Sequence, residues 1–198
     1  SSLQGCPSPW SIDGTNKETE LKVVEGKALL MRLRNPRRVT DVIPKSKELS
    51  GNRVVVNWGV DETHVLKNLN INAPSPIEGK YRWTGKHRPF KHQKTTAGFL
   101  TLNKRAFCFN EQGTGKTASA IWAADFLMNQ GRIKRVLVVC PLSIMDSAWR
   151  NDLFDFAMHR KVDVAYGSAK KRAAVINSEA EFVIINYDGV EIVADEIA

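Results

Sequence analysis

The chain has 198 residues, 42% of them hydrophobic and 25% charged, enough for one large packed domain or one domain with a small companion. Lys and Arg outnumber Asp and Glu by 29 to 21, and the net charge of +8 favours an anionic partner, nucleic acid before a membrane surface. No apolar run approaches the eighteen or so residues that span a bilayer, no signal peptide opens the chain, and Cys6, Cys108 and Cys140 have neither even number nor metal-ligand spacing; a membrane span and a disulfide or zinc framework are excluded, and ordinary thiols of a reducing, cytoplasmic compartment are expected.

Residues 1–20 are polar, contain Pro and Gly, and read as a tail; SSLQG, which lacks a methionine, reads as an expression remnant. Residues 21–77 read as a small basic α+β unit. KALLMRLR alternates Leu29, Met31 and Leu33 as a half-buried strand does. Asn35-Pro36 stops it, and Val39, Val42 and Ile43 recur at helical spacing. SGN at 50–52 is a turn, RVVVNW at 53–58 a second strand, and Asp61 is placed to cap a helix through Leu69. INAPSPIEGK, with Pro74 and Pro76, reads as a linker.

Residues 78–198 change rhythm. RAFCFN, RVLVVC, VDVAY and EFVIIN are short apolar β-rich runs, and between them lie the helical stretches TASAIWAADFLMN, SIMDSAWRNDLFDFA and AKKRAAVIN. Alternating strands and helices with little polar alternation predict an α/β fold, a parallel sheet covered on both faces with right-handed crossovers.

GTGKT, following RAFCFN and opening a helix, has the context of a phosphate-binding loop. Gly113, Thr114 and Gly115 let backbone amides curl around phosphate oxygens, and the helix dipole favours the same charge. Lys116 suits the β and γ phosphates, and the Thr117 hydroxyl suits magnesium. The first glycine of the usual G-x-x-x-x-G-K-[ST] pattern is replaced by Asn110, which can itself adopt a turn conformation. A glycine-rich turn with a fortuitous lysine is the bland alternative.

NEQGTGKT resembles the first motif of superfamily 2 helicases, particularly the Swi/Snf-type branch, in which an acidic or amide residue precedes E-x-G-x-G-K-T. Upstream, RPFKHQKTTAGFL looks like the adenine-reading motif of that family: Gln93 has an amide that can donate and accept at a base edge, and Phe90 or Arg88 can stack on the ring. Downstream, VLVVCPLSIMDSAWRNDL looks like the motif whose turn touches the tracked strand, with Pro141, Leu142 and Ser143 in the matching positions; capping of the next helix is an alternative role for Ser143. FVIINYDGV resembles another strand-contacting motif, with Asn186 and Tyr187 at its tip. IVADE has the form of the acidic motif, Asp195 for the metal and Glu196 for the water, although the family places a helix before that strand; the alternative is that VEIVADEIA is itself a helix.

The resemblance covers roughly residues 80–198. It implies an incomplete first RecA-like lobe of a P-loop NTPase using ATP and Mg2+, preceded by an accessory unit as in phage helicases of this branch and annealing-helicase-like proteins. The second lobe with its arginine fingers is not among these residues, so the chain is expected to be the front part of a longer protein and nearly inert alone. Arg34, Arg37 and Arg38 lie in the front unit's basic run and are candidates for DNA contact, a solvated basic face being the alternative. An ATP-dependent DNA helicase or translocase is the leading expectation. A nucleic-acid-binding module with a vestigial nucleotide site comes second and a small-molecule P-loop kinase third. Oligomeric state is left open, and the expected location is cytoplasmic, in the host if phage-encoded.

Overall fold

The computed structural model describes residues 20–109 and 115–198. The chain forms two compact units that divide between Ala73 and Pro74. Gly113, Thr114 and Asn110 of the loop, and the expected tail with Cys6, lie outside the described residues.

The first unit contains β1 (Glu20–Val24), β2 (Ala28–Arg32), the single turn α1 (Arg37–Thr40), β3 (Lys47–Leu49), β4 (Arg53–Asn57) and α2 (Val60–Asn68). Its antiparallel sheet has the order β1-β2-β4-β3, with Met31 opposite Val54 and Leu29 opposite Val56. Because side chains alternate along a strand, these four pack on one face and are fully buried, while Leu30, Arg32, Arg53 and Val55 take the other. Val39, Ile43, Trp58, Leu66, Ile71 and Ala73 complete the core. Each large apolar side chain buried there is worth about 1.5–3 kcal/mol. The Gly51-Asn52 turn that joins β3 to β4 has positive φ at both residues. Helix α2 starts from Gly59 instead of the expected cap Asp61, which stands in its first turn beside Glu62, where the dipole favours carboxylates. INAPSPIEGK is likewise more than a linker. Its first residues, Ile71 and Ala73, belong to this core, and Ile77 is fully buried in the next unit.

The second unit runs through α3 (Ile77–Lys80), α4 (Lys91–Leu102), α5 (Lys116–Asn129), β5 (Val136–Cys140), a 3-10 turn (Leu142–Ile144), a π-helical segment (Met145–Arg150) and α6 (Asn151–Ala157). It continues through β6 (Val162–Ala165), α7 (Ala169–Ile176), β7 (Phe182–Asn186), α8 (Tyr187–Ile192) and α9 (Ala194–Ile197). The three strands are parallel in the order β5-β7-β6, and all five residues of the central strand are buried. Alternation along β7 divides the core in two. Phe182 and Ile184 pack with Ile121 of α5, Val138 and Leu153 of α6; Val183 and Ile185 pack with Ala165, Ile176 of α7 and Val193. This is the α/β layering expected of a RecA-like lobe, preceded by a small α+β unit.

Two expected strands are absent. Arg105–Phe109 of RAFCFN forms no strand; Phe107 and Phe109 are 82% and 89% exposed and stack on each other at 5.8 Å. β-Propensity becomes a strand only where a neighbouring ladder accepts its hydrogen bonds, and no described strand pairs with this run. IVADE, expected as a strand ending in an acidic pair, is also corrected: residues 187–197 are helical apart from a break at Val193. Val190 and Val193, three residues apart, both pack on the Ile185 side of the sheet, which is helical periodicity.

Candidate nucleotide and nucleic-acid site

Helix α5 begins at Lys116 and is preceded by Gly115, whose backbone is left-handed with φ of 72° and ψ of 37°. Glycine holds that conformation without the strain a Cβ brings. Lys116 and Thr117, the first two helical residues, are half-buried. The helix is fixed behind them by Ala118, Ile121, Trp122 and Phe126, all at most 2% exposed. A 14-residue helix thus presents its positive end at Gly115.

Gln93 stands in the first turn of α4, and its side-chain Oε1 accepts a hydrogen bond from the Phe90 N–H at 2.9 Å. This fixes the carboxamide, which is only 9% exposed. Its Nε2 lies so close to Gly115 that a Cβ there would collide with it. The expected adenine residue and Gly115, the last glycine of the expected phosphate loop, 22 positions apart in sequence, therefore touch. Phe90, 69% exposed, stacks on His92 with ring centroids 5.7 Å apart, leaving an aromatic face beside the same glutamine. The structure thus brings Phe90, Gln93, Gly115, Lys116 and Thr117 to the adjoining ends of α4 and α5.

The two turns expected to meet a strand of nucleic acid also converge. Cys140 of β5 and Asn186 of β7 are register partners, so Pro141 and Tyr187 leave the sheet at the same level, at its carboxyl edge. Ligands of open α/β sheets bind along that edge. Pro141, Leu142 and Ser143 are exposed, Leu142 by 54%, and Tyr187 by 61%. Ser143 lies within the 3-10 turn and does not cap the following helix. Asn186 behaves differently: it is 7% exposed, and its Oδ1 accepts from Arg172 Nη1 at 2.8 Å. The buried Arg172 also donates to the carbonyls of Ala165 and Gly167 and lies over the Tyr166 ring. Asn186 therefore shapes the turn, and Tyr187 is the residue presented.

Asp195 and Glu196 are exposed on α9. Successive helical residues point about 100° apart, so the pair does not share an aim, in contrast to the strand end expected for an acidic motif. Among the described residues no group of three His, Cys, Asp or Glu side chains is placed to hold a metal ion. Arg34, Arg37 and Arg38 are exposed in the first unit, and Arg38 Nη2 donates to the Leu69 carbonyl at 3.1 Å, tying α1 to the end of α2.

One polar cluster was not foreseen from the sequence. Asp125 of α5, fully buried, accepts from Tyr81 Oη at 2.6 Å and Arg160 Nε at 2.6 Å, and pairs with His159 Nε2 at 2.8 Å. Arg160 also donates to Glu181 and Asn129, each at 2.6 Å. Burial pushes the Asp125 carboxyl up, but the Tyr81 hydroxyl, Arg160 and His159 outweigh it and hold the group below its ordinary value. Burial and the same hydrogen bond raise the Tyr81 hydroxyl far enough to keep it a donor. A lone acid in the apolar run AADFLM was the available signal, since a charge there needs a partner. The cluster ties α5 to Tyr81 before α4 and, through Arg160, to Glu181 just before β7.

No described helix is long and apolar enough to cross a membrane. The solved structures similar to this chain include two of helicase-type proteins. One is the Sulfolobus solfataricus SWI2/SNF2 ATPase core in complex with dsDNA, at 22% identity and a TM-score of 0.46, covering 54% of this chain and 23% of that one. The other is the UvsW helicase from Bacteriophage T4, at 12% identity and a TM-score of 0.47, covering 87% and 76%. In sequence, the chain is 33% identical over 105 residues to putative protein p41 of Acyrthosiphon pisum secondary endosymbiont phage 1, a match to 51% of this chain. It spans 22% of that phage protein's length. Residues 83–195, more than half of the chain, match ResIII, the res subunit of type III restriction enzymes. The chain belongs to that family, and so among the superfamily 2 helicases that its motifs resemble.

Proposed function

We propose that the second unit binds ATP with magnesium and that the intact protein couples ATP hydrolysis to movement on DNA. The observation that carries this reading is the packing of the Gln93 carboxamide against Gly115 at the head of α5. A base-reading amide and a phosphate-reading helix end are useful together only if one ligand carries both a base and phosphates. Phe90 would stack on the adenine, Gln93 would read its edge, and Lys116 would meet the β and γ phosphates with the amides of Gly113 to Gly115. Thr117 would ligate magnesium, whose chemistry is to neutralise charge on the phosphates. No acidic partner is assigned to the metal, because Asp195 and Glu196 stand on exposed helical turns. Pro141, Leu142, Ser143 and Tyr187 would meet the DNA backbone at the sheet edge, and Arg34, Arg37 and Arg38 would add attraction from the first unit.

Calorimetric titration of the 198-residue chain tests the nucleotide site. ATP is expected to bind with magnesium, Lys116→Ala to weaken it at least tenfold, and Gln93→Ala to weaken ATP but not GTP, since a lost edge contact matters only for the base that made it. Equal binding of ATP and GTP by the unaltered chain would overturn the adenine assignment. The net charge of +8 favours a second reading, a nucleic-acid-binding module with a vestigial nucleotide site. DNA binding with no ATP binding would be its signature.

A further inference from the structure

We infer that the solvent face of the four-stranded sheet in the first unit is a docking surface for the phosphate backbone of duplex DNA. This rests on the DNA part of the proposed function and names a different surface from the Arg34–Arg38 run. The register of the sheet sets two transverse rows on this face. One reads Lys22, Leu30, Val55, Lys47, and the other Glu20, Arg32, Arg53, Leu49. Four cations thus share the face with one carboxylate. Glu20 is already engaged with Lys22 at 2.9 Å and held below its ordinary value by that hydrogen bond and charge, with Arg32 adding to the effect. The surplus is positive.

The cations sit over a built shape. A concavity of about 410 Å3 is lined by Glu20, Lys22, Leu30, Arg32, Gly51 and Arg53, three cations to one carboxylate. Arg53 is held in place: its Nε donates to the Ser50 carbonyl at 2.9 Å, bracing the turn that forms one wall. The opposite face supplies the core through Leu29, Met31, Val54 and Val56, so the backbone beneath these charges is rigid. Adjacent strands lie about 4.8 Å apart, which puts Lys22 and Lys47 about 14 Å from each other across the four strands. That is comparable with the roughly 12 Å width of the major groove of duplex DNA, whose edges are phosphate rows.

Charge alone would also suit a single strand or an acidic protein. Single-strand sites rely on aromatic side chains that stack on bases. None of the residues of β1 to β4 is Phe, Tyr or Trp, so this face has charges for phosphates and nothing to hold a splayed base. The chemistry therefore selects duplex backbone, read without regard to sequence.

The test is fluorescence anisotropy with a labelled duplex, read as a function of salt on the whole chain. The unaltered chain is expected to bind with a strongly negative slope of log K against log salt. Arg32→Ala/Lys47→Ala/Arg53→Ala, which leaves the Glu20–Lys22 pair intact, should make that slope shallower by about 2.7, at about 0.9 for each phosphate no longer neutralised, and weaken binding about a hundredfold at 0.1 M salt. Arg32→Lys/Arg53→Lys keeps the charge and should retain most of the affinity; it also guards against damage to the turn that Arg53 braces. Unaltered duplex binding by the triple variant, with the parent chain binding normally, would overturn this surface and leave the proposed function standing. Loss confined to single strands would overturn the duplex assignment, and polyglutamate competing as well as duplex DNA would reassign the face to an acidic protein. A parent chain that binds no DNA at low salt would remove the DNA part of the proposed function, and this surface with it.

Discussion

Replacing Asp125 by alanine removes the centre of the buried polar cluster. The change leaves the Tyr81 hydroxyl without its buried acceptor and takes from Arg160 the carboxylate that its Nε reaches at 2.6 Å. The Arg160 side chain is only 13% exposed, so water cannot freely replace the lost oxygen. Breaking a buried pair by removing one partner costs about 3–5 kcal/mol. Glu181 and Asn129 still hold the other guanidinium nitrogens, which places this case at the lower end. In a unit of this size that lowers the thermal midpoint by about 10–20 °C, read by circular dichroism at pH 7. Asp125→Leu with Arg160→Met should recover part of the loss, because it removes the uncompensated guanidinium, while the Tyr81 hydroxyl still lacks its acceptor and Glu181 its cation. The effect also has a pH signature. Asp125 is held below its ordinary 3.8, so its contribution is present in full above that value and is lost as pH falls through the lower folded-state value. Parent chain and Asp125→Asn should therefore converge in stability as the pH drops from about 4. A midpoint change of less than about 3 °C for Asp125→Ala, under 1 kcal/mol on the same scale, would show that the cluster does not hold α5 and would refute the reasoning.

Two further outcomes follow from the same geometry. Gly115→Ala should cost about 1–2 kcal/mol through left-handed backbone strain and weaken nucleotide binding; adding Gln93→Ala should relieve the steric part, so that the double variant is less destabilised than the sum of the singles, as chemical denaturation can measure. Arg172→Ala should cost about 1.5–3 kcal/mol, because it releases Asn186 and the carbonyls of Ala165 and Gly167, and denaturant melts that coincide with the parent chain would contradict it.

Elements whose identity depends on local pattern could be read from the sequence. Leu29, Met31 and Leu33 alternate and are buried as that alternation requires, and FVIIN is apolar throughout and lies at the centre of a parallel sheet. What failed depended on partners. Arg105–Phe109 has the composition of a strand but no described neighbour to pair with. IVADE spells an acidic motif, yet the three-residue spacing of Val190 and Val193 decided for a helix. Prolines 74 and 76 marked the segment in which the two units divide, but they do not bar burial, and Ile71, Ala73 and Ile77 are buried on either side of it. At the site, Gln93 and Lys116 were assigned to one nucleotide by their motifs, while the contact of the Gln93 carboxamide with Gly115 was not legible. The roles of Asn186 and Asp125 were hidden for a similar reason. Their partners Arg172, Tyr81 and Arg160 lie 14, 44 and 35 positions away, and no local pattern encodes such distances.

Strand β5 bonds to β7 on one side and to no described strand on the other. Its outer border is a row of backbone donors and acceptors, flanked by Leu137 and Val139, which are 37% and 39% exposed. Such a border is adhesive: it offers ready-made bonding positions to any extended peptide, including the same strand of a second molecule. At 0.1 M salt repulsion between whole molecules is screened within about 10 Å, whereas strand pairing acts at contact, so the net charge of +8 does not by itself block association along a five-residue margin of this kind.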